Sequence, residues 1–234
     1  MKKLLYFAIA IALGSNCVTA ADYNINSFED IQKYLPFDVE SNLTINGNLT
    51  LTENMPSIGV EILKIQGNNP NIIIDGQEFV GFNTTTNETQ SSVYKNITLK
   101  NFNQAISIYN GKFIADGVTF ENNKHYERGS ALHIEVSQNT AEIKNSTFKN
   151  NMITDFKRPS SDGMGGAIFC IAKDLIIENS TFENNGIDVK SGALGGVIFG
   201  EEDGDDNHTI IQNSYFSNNF AKGTYMAVGG AIML

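Results

Sequence analysis

The stretch Asn179-Ser-Thr-Phe-Glu-Asn-Asn185, followed by Gly195-Gly-Val-Ile198, decides the fold, because the chain repeats both motifs in the same order. Versions of the first motif occur around four phenylalanines, Phe120, Phe148, Phe182 and Phe216. Versions of the second motif occur at Gly129-Ser-Ala-Leu132, Gly165-Gly-Ala-Ile168, Gly195-Gly-Val-Ile198 and Gly229-Gly-Ala-Ile232. Two motifs that alternate with a period of about 30 residues indicate a solenoid or a propeller.

The repeat unit is typical of strands rather than helices. Short β-branched runs such as Leu175-Ile-Ile177 and Thr209-Ile-Ile211 lie between the motifs, bounded by Asn, Gly and Ser. No segment after residue 40 keeps a helical apolar period. The chain has no tryptophan, which propeller blades commonly carry in their signature. The sequence therefore predicts an all-β fold, a right-handed, single-stranded parallel β-helix with an N-terminal cap.

Period-2 alternation predicts which side chains form the core. In the glycine motifs the inward positions are Leu132, Ile134, Ile168, Cys170, Ile198, Gly200, Ile232 and Leu234. Five residues before the phenylalanines lies a second inward row, Ala115, Ile143, Ile177 and Ile211. The phenylalanines are expected to stack from coil to coil at about 4.8 Å. The Asn pairs that follow them are expected in turns, bonded to the next coil, and the glycines at sharp bends.

The first 20 residues have the features of a secretory signal peptide. A basic start, Met1-Lys2-Lys3, precedes an apolar run from Leu4 to Leu13, and small residues precede Ala21. This run is shorter than the roughly 20 residues that a permanent membrane span needs. We therefore expect the protein to be exported to the cell surface, the outer membrane or the extracellular medium.

The rest of the chain divides into a cap and a repeat region. Residues 21–60 are expected to form the N-terminal cap and the leading strands, and residues 61–234 the β-helix repeats. Ser27 and Asp30 predict a capping box for a short helix from Phe28 to Leu35. Because the sequence stops inside a glycine motif, we expect it to be truncated at the C-terminus.

Charge and cysteine content exclude several classes of protein. The formal net charge is −10, and a nucleic-acid-binding protein needs a basic face. Cys170 is the one cysteine left after removal of residues 1–20, which excludes an internal disulfide. No apolar stretch after the signal is long enough for a direct membrane span. These features predict an exported protein that binds no nucleic acid.

The repeats resemble those of chlamydial-type polymorphic outer membrane proteins, a family of autotransporters, and are similar to the coils of archaeal adhesin-like surface proteins. The resemblance rests on two tetrapeptides, Gly-Gly-Ala-[Ile/Leu/Val] and Phe-x-x-Asn, and covers roughly residues 93–234. It implies a passenger domain that mediates attachment to a host or surface protein or a glycan receptor, without catalysis. The C-terminal barrel of that family has no counterpart before Leu234, so the resemblance leaves the anchoring of this chain open.

The alternative to a non-catalytic passenger domain is a secreted β-helix polysaccharide lyase or hydrolase. Such enzymes need facing carboxyl groups, or a base with a cation that stabilises the intermediate. The sequence shows no paired aspartates on one strand, and Arg128 and Arg158 fall in loops that differ between repeats. His125, His133 and His208 lack metal-ligand spacing. We therefore predict no enzyme activity, no cofactor, and no catalytic, cofactor-binding or metal-binding residue.

Two kinds of surface remain as candidates for binding. The outward row His133, Phe169, Phe199 and Met233 predicts either an exposed apolar strip or a strip covered by a long loop. The inserts between the motifs, at 124–128, 152–164, 186–194 and 201–207, are expected to be variable contact loops. The acidic loop 201–207 either binds calcium or forms a solvated turn, and the turn is the default interpretation.

Overall fold

The computed structural model describes residues 20–35, 41–59, 62–155, 161–201 and 207–234. The signal segment predicted at 1–20 therefore lies, except for Ala20, outside the described residues. Within them the chain contains one short helix and a succession of strands, most of them short and the longest 13 residues. Each turn of the chain that returns to the same side is called a coil below.

The N-terminal part contains the helix and the narrowest coils. Its elements are β1 (Ala21–Ile25), α1 (Phe28–Tyr34), β2 (Ser41–Ile45), β3 (Leu49–Thr50), β4 (Ser57–Ile58), β5 (Ile62–Gly67), β6 (Ile73–Asp75), β7 (Phe82–Thr85), β8 (Ser91–Lys95), β9 (Thr98–Lys100) and β10 (Ile106–Tyr109). This part contains the first three coils. Each of them has three strands, for example β8, β9 and β10 in the third coil.

The C-terminal part contains four wider coils. Its first elements are β11 (Lys112–Asp116), β12 (Thr119–Glu121), β13 (Lys124–His125), β14 (Leu132–Lys144), β15 (Thr147–Lys149), β16 (Met152–Thr154), β17 (Gly163–Met164) and β18 (Ile168–Glu178). The last ones are β19 (Thr181–Glu183), β20 (Gly186–Val189), β21 (Gly192–Leu194), β22 (Ile198–Glu201), β23 (His208–Gln212), β24 (Tyr215–Ser217), β25 (Phe220–Gly223), β26 (Met226–Val228) and β27 (Ile232–Met233).

Strands of successive coils pair in parallel and form four sheets. The large sheet has 13 strands, and the phenylalanine sheet, β3, β6, β9, β12, β15, β19 and β24, has 7. A third sheet, β13-β16-β20-β25, has 4 strands, and a fourth, β17-β21-β26, has 3. This stacking of equivalent strands confirms the predicted parallel β-helix.

The phenylalanine stack lies inside the phenylalanine sheet. Phe120, Phe148 and Phe182 are fully buried, and successive ring centroids from Phe120 to Phe216 are 4.7, 4.8 and 4.5 Å apart. The rings are nearly parallel, with interplanar angles of 9–16°. Each ring therefore packs on the next one, as the repeat spacing predicts.

Both predicted inward rows belong to the main core. Leu132, Ile168 and Ile198 are aligned by strand register and fully buried, and Cys170 is 2% exposed. Burial raises the pKa of the Cys170 thiol to about 12. Leu234 lies next to Gly200 on the same face as Cys170, and it is 57% exposed.

Two successive asparagines in each wide coil have different structural roles. The first of each pair has a positive φ, as at Asn122 and Asn150 with φ of 56° each, which asparagine tolerates better than most residues. The second points inward and forms a ladder, Asn123, Asn151, Asn185 and Asn219, which is fully buried at the first three residues and half-buried at Asn219. Its amide nitrogens donate to the next side-chain oxygen over 2.9, 2.9 and 3.2 Å. The ladder satisfies polar groups that water does not reach.

The glycine motif begins with a residue in the left-handed region. Gly165 has a φ of +63°, and a Cβ there would lie 1.9 Å from the carbonyl oxygen of Ile168. Gly195 and Gly229 have the same conformation and meet the equivalent oxygen. A side chain is therefore excluded at this corner by both backbone conformation and space.

Helix α1 closes the N-terminal end of the core. The Ser27 hydroxyl accepts from the Asp30 backbone N–H, and the Asp30 carboxylate accepts from the Ser27 backbone N–H, so the predicted capping box is present. Phe28 and Ile31 are buried against the first coil. The helix ends at Tyr34, one residue before the predicted boundary.

Candidate functional site

The solenoid widens abruptly at the fourth coil. In the first three coils the chain passes from the phenylalanine sheet to the large sheet without an intervening strand. The third sheet begins with β13 in the fourth coil, and the fourth sheet begins with β17 in the fifth. β13 is the first strand of the third sheet, and the narrower coil below it continues this ladder with an isolated bridge between Asn103 and Lys124, which leaves a step on the side of the molecule.

A groove of about 710 Å³ lies at this step. We call it the step groove and define it by the turn residues Gln77, Glu78, Asn101, Asn122 and Asn150 and by Phe102, Asn103, Lys124, His125 and Thr154. Its volume is within the range of about 300–1,000 Å³ that small-ligand sites commonly have.

The floor of the step groove is a series of left-handed turns. Gln77, Glu78 and Asn101 have φ of 48°, 65° and 57°, close to the values of Asn122 and Asn150. The amide nitrogen of Asn150 donates to the side-chain oxygen of Asn122 over 3.1 Å. Equivalent turns in neighbouring coils therefore place side-chain amides in a row along the solenoid.

Asp75 anchors the lower end of this floor. Its carboxylate accepts hydrogen bonds from the Asn101 side chain at 3.0 Å and the Gln77 backbone at 3.3 Å, and it pairs with Lys100 at 3.3 Å. Burial alone would raise the pKa of Asp75, but these hydrogen bonds and the lysine charge outweigh it and lower the pKa. The carboxylate is therefore held charged and fixed under the groove.

The wall of the step groove comes from the edge of the third sheet. The Lys124 backbone N–H donates to the Phe102 carbonyl at 2.9 Å, and the Lys124 carbonyl accepts from the Gln104 N–H at 3.1 Å. The Nδ1 atom of His125 accepts from the backbone N–H groups of Glu127 and Arg128. A neutral His125 therefore carries its proton on Nε2.

The chemistry of the lining is mostly uncharged hydrogen bonding. Side-chain amides dominate, a threonine hydroxyl is present, and Glu78 and Lys124 supply one charge of each sign. Among the described residues no three His, Cys, Asp or Glu side chains come together as a metal-binding group. The lining can donate to and accept from a polar ligand without matching a strong charge.

The outward row predicted from the glycine motifs is largely covered. Strand register aligns His133, Phe169, Phe199 and Met233 as expected. However, Phe169 is fully buried and His133 is 9% exposed. The Arg128 guanidinium lies 4.8 Å from the Phe169 ring centre, and the His133 ring lies 5.0 Å away. The covered strip is therefore the correct alternative at these two positions.

Arg128 and His133 meet a common carboxylate on this face. His133 Nε2 lies 2.7 Å from Glu135 Oε1, and Arg128 Nη1 lies 3.7 Å from the same oxygen. The Tyr109 ring lies 5.6 Å from the His133 ring, and burial together with the Glu135 charge raises the pKa of Tyr109. The sequence did not reveal this cluster, because Arg128 comes from an insert and the other residues come from two coils.

The expected contact loops are partly strands. Residues 124–125, 152–154 and 163–164 pair in the third and fourth sheets, as do most residues of 186–194. Ile153, Ile187, Val189 and Ala193 form a second buried apolar cluster between these sheets. The prediction of loops is therefore wrong for these segments, because strands of two to four residues are too short to show a clear alternation. Arg158 and most of the acidic loop 201–207 lie outside the described residues.

The step groove was not predicted, although part of its signal is in the sequence. The first Asn of each pair marks a left-handed turn, and these turns recur once in each wide coil. In the described ranges no helix is long and apolar enough to cross a membrane. No protein-family model, curated protein or solved structure matches this chain.

Proposed function

We propose that this chain is a cell-surface, adhesin-like passenger domain that binds a surface protein or a glycan and performs no catalysis. The observation that carries the proposal is a rigid stack of coils with the step groove on its side. The resemblance of the repeats to those of polymorphic outer membrane proteins supports the same function. Solenoids use such lateral surfaces for binding because each repeat adds area without changing the core.

Rigidity supports this role because a fixed surface loses little entropy when it binds. The phenylalanine stack and the asparagine ladder join each wide coil to the next one. The turn residues of the groove are themselves held between coils: the backbone N–H of Asn122 donates to Lys149, and that of Asn150 donates to Glu183. The groove is therefore built on the stacked scaffold and not on a free loop.

Charge supports a partner other than a nucleic acid. A formal net charge of −10 repels polyanions at long range, more strongly at low salt. The apolar run and small residues of segment 1–20 support export. The proposed location is the cell surface, the outer membrane or the extracellular medium.

The proposal is tested with the full chain in its native cells and as a purified protein. Antibodies against residues 152–164 are applied to intact and to permeabilised cells, and beads coated with the protein are presented to target cells. Labelling of intact cells together with bead attachment above albumin-coated beads is the expected result. Antigen confined to the cytoplasm, or beads that never attach, would contradict the proposal.

A polysaccharide lyase or hydrolase is the second candidate, favoured by the contact of His133 and Arg128 with Glu135. An enzyme would release unsaturated products or new reducing ends from acidic polysaccharides. Turnover that disappears in His133→Ala would support this second candidate and exclude the non-catalytic proposal. No turnover across a panel of pectin-like and other acidic polymers would exclude the enzyme.

A further inference from the structure

We propose that the step groove binds an uncharged oligosaccharide along the row of turn amides formed by Asn101, Asn122 and Asn150. This inference rests on the proposed binding function and names the class of ligand and the site. It follows from the position of the groove, the chemistry of its lining and the regular spacing of the turns.

The spacing of the floor suits a ligand with a repeating polar edge. Asn101, Asn122 and Asn150 come from three successive coils and occupy equivalent turn positions with φ of 56–57°. Neighbouring strands in a sheet are about 4.8 Å apart, so three rungs extend over about 10 Å. An extended saccharide presents hydroxyl groups on each successive sugar and can meet one amide after another.

The chemistry of the floor matches hydroxyl groups. A carboxamide offers two N–H donors and one carbonyl acceptor, and a hydroxyl both donates and accepts. The bond from Asn150 to Asn122 uses one of the two N–H donors of Asn150. Several donors and acceptors along one edge therefore allow bonds to each sugar without a formal charge.

Charge in and around the groove disfavours an ionic ligand. Glu78 is the carboxylate among the groove residues and Lys124 is the ammonium group, so neither sign dominates. Asp75 below the floor is already paired with Lys100. An anionic ligand would also enter against the net charge of −10. An uncharged saccharide needs no matching charge in the groove and is not repelled by the net charge of the protein.

Preorganisation comes from the backbone of the turns. The N–H of Asn101 donates to the Glu121 carbonyl at 3.1 Å, and the N–H of Asn122 donates to the Lys149 carbonyl at 3.0 Å. These bonds fix the turns before any ligand binds. Binding then orders the amide side chains and the ligand, while the main chain stays in place.

The experiment measures binding of chitohexaose, cellohexaose and maltohexaose to the purified full chain by titration calorimetry, with hexagalacturonate as the charged comparison. The test variant combines Asn122→Gly and Asn150→Gly, since glycine keeps the positive φ and removes the amide. The matched control combines Asn184→Gly and Asn218→Gly, which stand at the same turn position in the next two coils, with φ of 55° and 53°, outside the groove. Far-UV circular dichroism and thermal melting check the fold of both.

We expect at least one neutral hexasaccharide to bind, with at least tenfold weaker binding in the test variant and unchanged binding in the control. No binding by any neutral hexasaccharide, equal losses in both variants, or tighter binding of hexagalacturonate would overturn the inference. Should the test variant fail to fold, Thr154→Trp blocks the groove by bulk instead. Its control is Asp188→Trp, the register partner of Thr154 in the next coil.

The outcomes separate the groove from the adhesin-like function. Attachment of coated beads that persists in Thr154→Trp, with no glycan binding by the native chain, leaves the adhesin-like function and removes the groove assignment. Neutral glycan binding that is lost in the test variant, in a protein confined to the cytoplasm, leaves the groove assignment and removes the surface function.

Discussion

Removal of one amide from the buried asparagine ladder is expected to destabilise the wide coils strongly. Asn151 is fully buried, and its oxygen accepts from the backbone N–H of Asn123 at 3.2 Å and from the Asn123 side chain at 2.9 Å. Its nitrogen donates to Asn185 and to the Phe120 carbonyl, both at 2.9 Å. Asn151→Ala removes four buried hydrogen bonds, each of which stabilises by about 1 kcal/mol, so we expect a loss of about 4 kcal/mol.

The matched control is Asn219→Ala at the exposed end of the same ladder. Asn219 is half-buried and bonds to Asn185 and to the Phe182 carbonyl, where water can replace the lost groups. We expect a cost of about 1 kcal/mol there. Asn219 makes three such hydrogen bonds where Asn151 makes four, so the difference between the two variants measures burial together with one hydrogen bond.

The assay is urea unfolding of the full chain followed by far-UV circular dichroism, with hydrogen exchange of residues 117–125 as a local readout. With a slope of about 3 kcal/mol per molar urea, Asn151→Ala should lower the midpoint by about 1.3 M. Backbone amides of the fourth coil should exchange faster, because the N–H of Asn123 loses its acceptor. A loss below about 1 kcal/mol, or one no larger than that of Asn219→Ala, would refute the assigned role of the ladder.

Three further predictions use other features of the coils. Gly195→Ala should cost about 2 kcal/mol or more in urea unfolding, because its φ is +64° and a Cβ would lie 2.1 Å from the Ile198 oxygen; Gly47→Ala, which has open space, should change stability little. Asp75 has a lowered pKa when folded, so its contribution is complete above its unfolded value near 3.8 and is lost as the pH falls through the lower folded value. Asp75→Asn should therefore reduce the loss of stability below about pH 4, and an unchanged acid transition would contradict this. Cys170, with its raised pKa, should resist alkylation at about pH 8 until the protein unfolds, as mass spectrometry would show; rapid labelling of the folded protein would count against its burial.

The core of the fold could be predicted from the sequence because the same residue types recur at its positions in successive repeats. Phe148 and Phe182 mark the same position of successive coils, and Gly165 and Gly195 mark the same corner. A residue type that must recur for steric reasons gives a signal in a single sequence. Strand pairing then follows, since equivalent positions stack.

The third and fourth sheets could not be predicted by the same reasoning. Strands such as Gly186–Val189 and Gly192–Leu194 are short, contain glycine, and bury adjacent residues on both faces. Alternation fails when both faces are covered. Burial of Phe169 was undecided for a similar reason, because it depends on Arg128 from an insert whose path the sequence does not give.

The step groove was hidden from sequence analysis because it depends on unequal coil widths. Asn101 and Asn122 have the same turn conformation, but only the second is followed by a strand of the third sheet. The groove lies where a coil without a strand of the third sheet adjoins a coil that has one. Aligning the repeats shows what they share, and it does not show where coils of different width adjoin.

The parallel stacking of coils also determines how the protein responds to mechanical tension. The interstrand hydrogen bonds of all four sheets join one coil to the next. A force that pulls the two ends apart therefore acts on the hydrogen bonds between one pair of coils at a time. The chain should then peel coil by coil, and the wide coils, which repeat after 28 or 34 residues, should each release about 90–110 Å of length. Load applied sideways, across the wall of the solenoid, is instead shared by many rungs. A tethered form of this protein would therefore resist shear on its flank better than traction at its tip.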